Sequence, residues 1–135
     1  MDTPEQILRQ FSTLAIVGAS RDHSKSAHGV PASLQQAGFK IVPVNPFTEG
    51  ELLGEVVYPT LADIPFPVEV VVVFRPSEHV PPIARQAAAI SAKALWLQQG
   101  IVSDEARKIA AEAGMMYVED RCTSVVRAIH QITKP

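Results

Sequence analysis

Five short runs of apolar, mostly β-branched residues recur along the chain, at Leu14–Val17, Ile41–Val44, Val68–Phe74, Ala94–Leu97 and Met116–Val118, with a shorter candidate at Val56–Tyr58. Each is too short for a helix and mostly apolar on both faces, the pattern of strands buried in a parallel sheet. Between them the period changes. Val30–Ala37, Val80–Ile90 and Asp104–Ala113 space their apolar residues at helical intervals, as do Ile7–Phe11 before the first strand and Ser124–Ile132 after the last. Strand and helix alternate, which predicts an α/β fold: a doubly wound, mostly parallel sheet with helices on both faces.

The breaker residues fit this scheme. Pro31 suits the first turn of its helix, where a missing N–H costs nothing, and Pro81 and Pro82 likewise suit a helix start. Gly38 and Gly114 follow their helices, where left-handed caps are wanted. Ser103 precedes "DEARKIAAEAG", with acids in the first turn as the helix dipole prefers. No internal repeat or low-complexity linker divides the chain, so residues 1–135 are expected to form one domain.

Composition narrows the function classes. Apolar residues make up 47% and charged residues 19%, a globular balance, and no apolar run approaches the ~20 residues that span a bilayer. The start, "MDTPEQILRQF", carries an acid and helical spacing where a secretory signal needs a positive segment and a longer apolar one. A net charge of -2 leaves no global attraction to nucleic acid. The single cysteine, Cys122, cannot form an internal disulfide, which suits a reducing, cytoplasmic compartment. Cys122 and the four histidines follow no metal-ligand spacing, so no metal site is expected.

Candidate chemistry lies in "AIVGASRDHSKSAHG", Ala15 to Gly29. Ligands of open parallel sheets bind outside the carboxyl ends of the strands where the winding direction reverses. A loop there that feeds a helix offers free N–H groups and the positive end of a dipole to a phosphate. Gly18 permits close backbone approach, Ser20 offers a hydroxyl, and Arg21 and Lys25 add charge. The dinucleotide fingerprint needs two further glycines and an acid at the end of the second strand. Here the loop reads Gly18-Ala19-Ser20-Arg21-Asp22-His23, and "VPVNP" puts Asn45 where the acid belongs. NAD is disfavoured, whereas a nucleotide with a 2′-phosphate or another adenine nucleotide is not. Lys25-Ser26 has no preceding glycine, so a Walker loop for ATP is absent. The same strings also fit a plain tight turn at Gly18 and a strand stopped by Pro46.

Taken together, "VGAS" after the first strand, "VPVNP" after the second, "VFRP" through Phe74, "WLQQGI" from Trp96 and "DRC" from Asp120 resemble the CoA-binding domain family. The resemblance covers nearly the whole chain and is to the small stand-alone bacterial members. These are similar to the amino-terminal nucleotide-binding domain of the succinyl-CoA synthetase alpha subunit. It implies a Rossmann-like sheet and coenzyme A as ligand. It places the CoA phosphates at Gly18, Ala19, Ser20 and Arg21, with Lys25 close by, and the adenine and ribose beside Val44, Asn45 and Pro46. Phe74, Arg75 and Pro76 would border the CoA chain across the switch point, and Gln98, Gln99 and Gly100 would lie farther along the same edge. The chain departs from the family at Ser26 and Ala27, where a proline is common. CoA carries a 3′-phosphate and a diphosphate, and Arg21, Lys25 and Arg75 supply three cations, although Arg75 also fits a salt bridge at the sheet edge. Each exposed pair is worth only ~1 kcal/mol, so backbone N–H groups and adenine packing must add the rest.

In the synthetases the phosphorylated histidine and the ATP-grasp portion lie outside this domain. The resemblance therefore implies a non-catalytic protein that binds CoA or an acyl-CoA. The rival reading is an NADP- or other nucleotide-dependent enzyme using the same loop, and a third is an interaction module with a vestigial pocket. Cys122 follows the last strand on the expected ligand edge. It fits either a thiol that exchanges with CoA disulfide or a half-buried small apolar residue. His23 and His28 are expected as solvated loop or helix-start residues, His79 and His130 in surface or packing roles without a convincing acid partner, and Trp96 in the core.

Overall fold

A computed structural model describes residues 1–135. Five strands, β1 (Thr13–Val17), β2 (Lys40–Val44), β5 (Val70–Val73), β6 (Ala94–Leu97) and β7 (Met116–Val118), form one parallel sheet in the order β2-β1-β5-β6-β7. The chain winds outward from β1 to β2, crosses back to β5 on the other side of β1, and continues to β7. The direction of winding thus reverses between β1 and β5, as the doubly wound expectation requires.

Side-chain alternation along the strands divides the core in two. Leu14, Ile16, Val70, Val72 and Trp96 face α1 (Thr3–Gln10), α2 (Ser26–Gln36) and α5 (Thr123–Ile129). Ala15, Val71, Val73, Leu95 and Leu97 face α3 (Val80–Ala89) and α4 (Asp104–Glu112). Every residue of β5 and β6 is fully buried, which is why these strands read as unbroken apolar runs rather than alternating ones. No helix is long and apolar enough to cross a membrane.

Three local expectations are corrected. The Val56–Tyr58 run does not add a strand to the main sheet. A separate hairpin of β3 (Glu51–Leu52) and β4 (Glu55–Val56) ends within it, turning through Leu53 and Gly54 at positive φ, and Tyr58 makes only a bridge to Val44. The fifth strand is shorter than Val68–Phe74, because only Val70–Val73 pair on both sides.

Helix α2 begins four residues earlier than its apolar spacing indicates, at Ser26, so Pro31 stands inside the helix and not in its first turn. A proline there offers no N–H to the carbonyl four residues back. That carbonyl, Ala27 O, accepts instead from the N–H of Ser20 at 3.1 Å. The proline thereby ties the loop after β1 to the first turn of α2.

The caps follow the sequence reading. The Ser103 hydroxyl accepts from Ala106 N at 3.1 Å, and Pro81 and Pro82 lie in the first turn of α3. Gly38 has φ +99°, and a Cβ there would stand 2.3 Å from the Lys134 carbonyl oxygen. Gly114 has φ +71° with open space around it.

Two outcomes follow from this geometry. Gly114→Ala should lower the unfolding free energy by about 1 kcal/mol through backbone strain alone, and Gly38→Ala by about 2–4 kcal/mol because the carboxyl-terminal strand of chain must also move. Equal urea midpoints for the two variants would show that the tail does not seat against Gly38. Pro31→Ala should release Ser20, because the new N–H competes for Ala27 O. Amide hydrogen exchange at Ser20 is then expected to quicken while global stability holds; unchanged exchange would refute the tie.

Candidate functional site

At its carboxyl end β1 keeps sheet hydrogen bonds to both neighbours, β2 and β5. Gly18 N donates to Val44 O at 2.9 Å, and Phe74 N donates to Val17 O at 2.9 Å. Gly18 sits at φ +91°, and a Cβ would lie 3.2 Å from Phe74 O and 3.1 Å from the Arg75 side chain. Glycine is required here both by conformation and by space.

Two cavities flank this contact. The larger, about 300 Å³, lies between the ends of β1 and β2 and the start of α3. Gly18, Val44, Asn45, Pro46 and Arg75 line it together with Thr60, Leu61, His79, Ile83 and Gln86. No carboxylate is among its lining residues, Arg75 gives it positive character and His79 adds an imidazole. The smaller, about 140 Å³, lies on the other side, where Phe74, Gln98, Gln99 and Cys122 meet Ser26, Val30 and Ile101. Consecutive residues Phe74 and Arg75 send their side chains to different cavities, as residues in extended chain do.

The loop after β1 is held by its own bonds. Ser20 Oγ accepts from Asp22 N at 3.0 Å, while His28 Nδ1 meets Ser20 O at 2.8 Å. His28 is therefore not solvated as expected: it is buried under the loop, with the exposed His23 ring stacked on it at 4.0 Å. The Asp22 carboxyl is held below its usual range, first by the Ser24 hydroxyl and then by the Ser24 N–H. The N–H groups of Arg21, Ser26 and Ala27 have no backbone acceptor. The last two open an 11-residue helix, where free donors and the dipole favour an anion.

Other expected residues turn out to be engaged within the protein. Arg21 is exposed, and its guanidinium donates to the carbonyls of Glu49 and Glu51, bracing the β3 approach. Asn45 uses both ends of its amide, donating from Nδ2 to Ala19 O at 2.9 Å and accepting from Phe47 N at 2.8 Å. Lys25 is the exposed residue preceding α2. Gly100 N donates to the Asp120 carboxylate at 2.7 Å. Ala19, Ser20, Arg21, Lys25, Pro76 and Gly100 line neither cavity.

Sequence reading missed Thr60, Leu61, His79, Ile83 and Gln86, because they come from the short 3-10 turn after the hairpin (Leu61–Asp63, preceded by Thr60), from the 3-10 turn Ser77–His79 and from α3, which only the fold brings to β1. Their one legible signal was the position of His79 just before "VPP". His130, given no acid partner from sequence, lies 3.5 Å from Glu5. That contact joins the first and last helices, far from the cavities.

Side chains from β6 shape the far cavity. The fully buried Trp96 donates from Nε1 to Arg121 O at 2.8 Å, and Gln98 Oε1 accepts from Thr123 N at 3.1 Å. These bonds grip the residues on either side of Cys122.

The architecture and sequence both have close counterparts. The chain is 36% identical over 125 residues to the uncharacterized protein YneT of Bacillus subtilis (strain 168), covering 93% of this chain and 92% of that one. It is 32% identical over 98 residues to an ADP-forming acetate–CoA ligase II of Archaeoglobus fulgidus; the aligned part is 71% of this chain but 14% of the ligase. The solved structure of cell-free ID.343 from Thermus thermophilus superposes with a TM-score of 0.90 at 37% identity, covering 96% of this chain and 98% of that one. With residues 12–128 matching the model described as "CoA binding domain", over a sheet whose winding reverses beside Gly18, the chain belongs to the CoA-binding domain family.

Proposed function

We propose that this chain binds coenzyme A or an acyl-CoA across the Gly18–Phe74 contact and acts as a binding protein, carrying, sensing or presenting the ligand rather than turning it over. The observation that carries the reading is the larger cleft: apolar surface for an adenine from Val44, Leu61 and Ile83, a cation from Arg75, an imidazole from His79, and no carboxylate. A ribose-binding acid, the mark of NAD recognition, is replaced by Asn45, whose amide already spans Ala19 and Phe47. Free N–H groups at the start of α2 are suited to phosphate oxygens. The second cavity beyond Phe74 suits the remainder of a ligand too long for one cleft.

The polar groups lining the larger cleft are amides, a hydroxyl, an imidazole and a guanidinium, which hold and orient an anion. Kinship with one segment of a ligase supports the ligand class; the ligase reaction belongs to that whole protein. Residues Gly18 and Arg75 border the ligand path directly. Arg21 and Asn45 serve it at one remove by fixing the loops that shape it, and Lys25 adds an exposed charge beside the free N–H groups of α2.

Thermal denaturation with CoA, acetyl-CoA, NADP and ATP tests the reading. At CoA concentrations a hundredfold above Kd, binding to the folded state alone contributes about 2.7 kcal/mol, which raises Tm by about 5–10 °C for a chain of this size. Protection by NADP and none by CoA would overturn the ligand and favour a nucleotide-dependent enzyme. Absence of any shift would favour a vestigial pocket. Titration calorimetry of Arg75→Ala should show about fivefold weaker CoA binding, ~1 kcal/mol, and the gap should narrow as salt rises. A salt-independent loss would mean that Arg75 acts through packing against Gly18 and not through charge.

A further inference from the structure

Cys122 stands where the two walls of the smaller cavity meet the outside. It lines that cavity with Phe74 and Gln98, and also lines a shallower depression of about 290 Å³ with Gln99, Asp120 and Arg121. Its backbone has little freedom. Trp96 Nε1 holds Arg121 O at 2.8 Å on one side, and Gln98 Oε1 holds Thr123 N at 3.1 Å on the other. A half-exposed thiol is thus fixed at a cavity mouth by one side chain of the fully buried strand β6 and one from the residue that follows it.

Gln98 supplies an independent pointer to a ligand. The residue is only 4% exposed, and the Thr123 contact fixes which end of its amide is oxygen. Its Nε2 then carries two hydrogens without a protein acceptor, on a side chain that lines the cavity with Cys122. Open to the cavity rather than sealed off, this donor is free to take an acceptor from a bound molecule. The ligand end received here therefore carries an acceptor such as an amide carbonyl within reach of its sulfur.

We infer that Cys122 forms a reversible mixed disulfide with the thiol end of CoA when that thiol is presented as CoA disulfide. The inference rests on the CoA reading above and adds a covalent step to it. The Cys122 thiolate attacks one sulfur of CoA disulfide, a Cys122–CoA sulfur–sulfur bond forms, and the original sulfur–sulfur bond breaks. The departing CoA leaves as a thiolate that takes a proton from solvent. Cys122 is oxidised, the departing sulfur is reduced, and a free thiol reverses the step. As the sole cysteine, Cys122 has no internal partner that would resolve the product, so the adduct persists until an external thiol arrives. The chain then reads the oxidised fraction of the CoA pool.

Two measurements separate this inference from the reading beneath it. Calorimetry with reduced CoA under a phosphine reductant reports noncovalent binding alone. Intact mass spectrometry after incubation with CoA disulfide, without reductant, reports the adduct, expected as a mass gain of one CoA less two hydrogens and removed by dithiothreitol. Proximity in a formed site should make CoA disulfide react at least about tenfold faster than oxidised glutathione, and the preference should vanish in urea.

Gln98→Glu keeps an oxygen for Thr123 N and removes the free donor; the preference should fall about fivefold while Tm stays within a few degrees. Binding of reduced CoA with no mass gain from CoA disulfide would overturn the covalent step and leave the CoA reading standing. Equal rates for the two disulfides would reduce Cys122 to an ordinary accessible thiol. Failure of reduced CoA to bind, with no preference among disulfides, would overturn both.

Discussion

The contact of Gly18 with the Phe74 carbonyl and the Arg75 side chain is the constraint on which the rest of the site depends. Parallel pairing of β1 with β5 brings the ends of two neighbouring strands to the same edge, and the opposed crossovers carry the chains away from each other above it. A residue with a Cβ at position 18 would meet Phe74 O at 3.2 Å in a backbone conformation that side chains rarely adopt. Because glycine occupies it, the strands close completely and the cavities open to either side rather than between them. The contact so formed separates the two cavities, with Gly18 and Arg75 on one side and Phe74 on the other.

Rigidity in the adjoining loop comes from an apparent defect. Pro31 interrupts the hydrogen bonding of α2, and the carbonyl it frees becomes an anchor for Ser20. His28, one turn before the proline, takes the carbonyl of the same serine, so Ser20 is held by both its N–H and its C=O. Arg21 and Asn45 then lash the loop to the chain beyond β2. Residues that resemble ligand-binding groups in sequence thus contribute by holding backbone donors in place. Ordering entropy is met during folding instead of at the moment of binding, which favours affinity.

What could be read from the sequence was whatever depends on local period and local punctuation. The runs at β6 and β7 mark their strands to the residue, and Gly38, Gly114, Ser103 and Pro81 mark helix ends, because burial on both faces and cap chemistry leave local traces. The start of α2 left none: Ser26-Ala27-His28-Gly29 has no apolar stripe, and its helix is sustained by the tertiary bond from Ser20 rather than by propensity. Spacing alone therefore put Pro31 at the wrong turn. The short hairpin at Glu51–Val56 was equally opaque, since Leu53 adopts φ +56° against the usual preference for glycine or asparagine. At the site, Gly18, Asn45, Arg75 and Gln98 were legible because they follow strands. Thr60, Ile83 and Gln86 were not, because the crossover that delivers them is a property of the fold.

Trp96 and Gln98 show how a core strand extends its order into a loop. Trp96 lies in the run that reads simply as buried β6 and Gln98 directly follows it, yet each ends in a polar group that must find a partner once desolvated. They find it in the backbone on either side of Cys122, far along the chain but next to β6 through β7. Satisfying the indole N–H and the amide oxygen therefore fixes the position of the segment from Arg121 to Thr123 as firmly as the sheet itself. The same geometry leaves one amide donor over, on the cavity side. Core packing and the shaping of the site are here one set of bonds, so a substitution that removes the indole N–H or the amide oxygen would be felt in stability and at the cavity together.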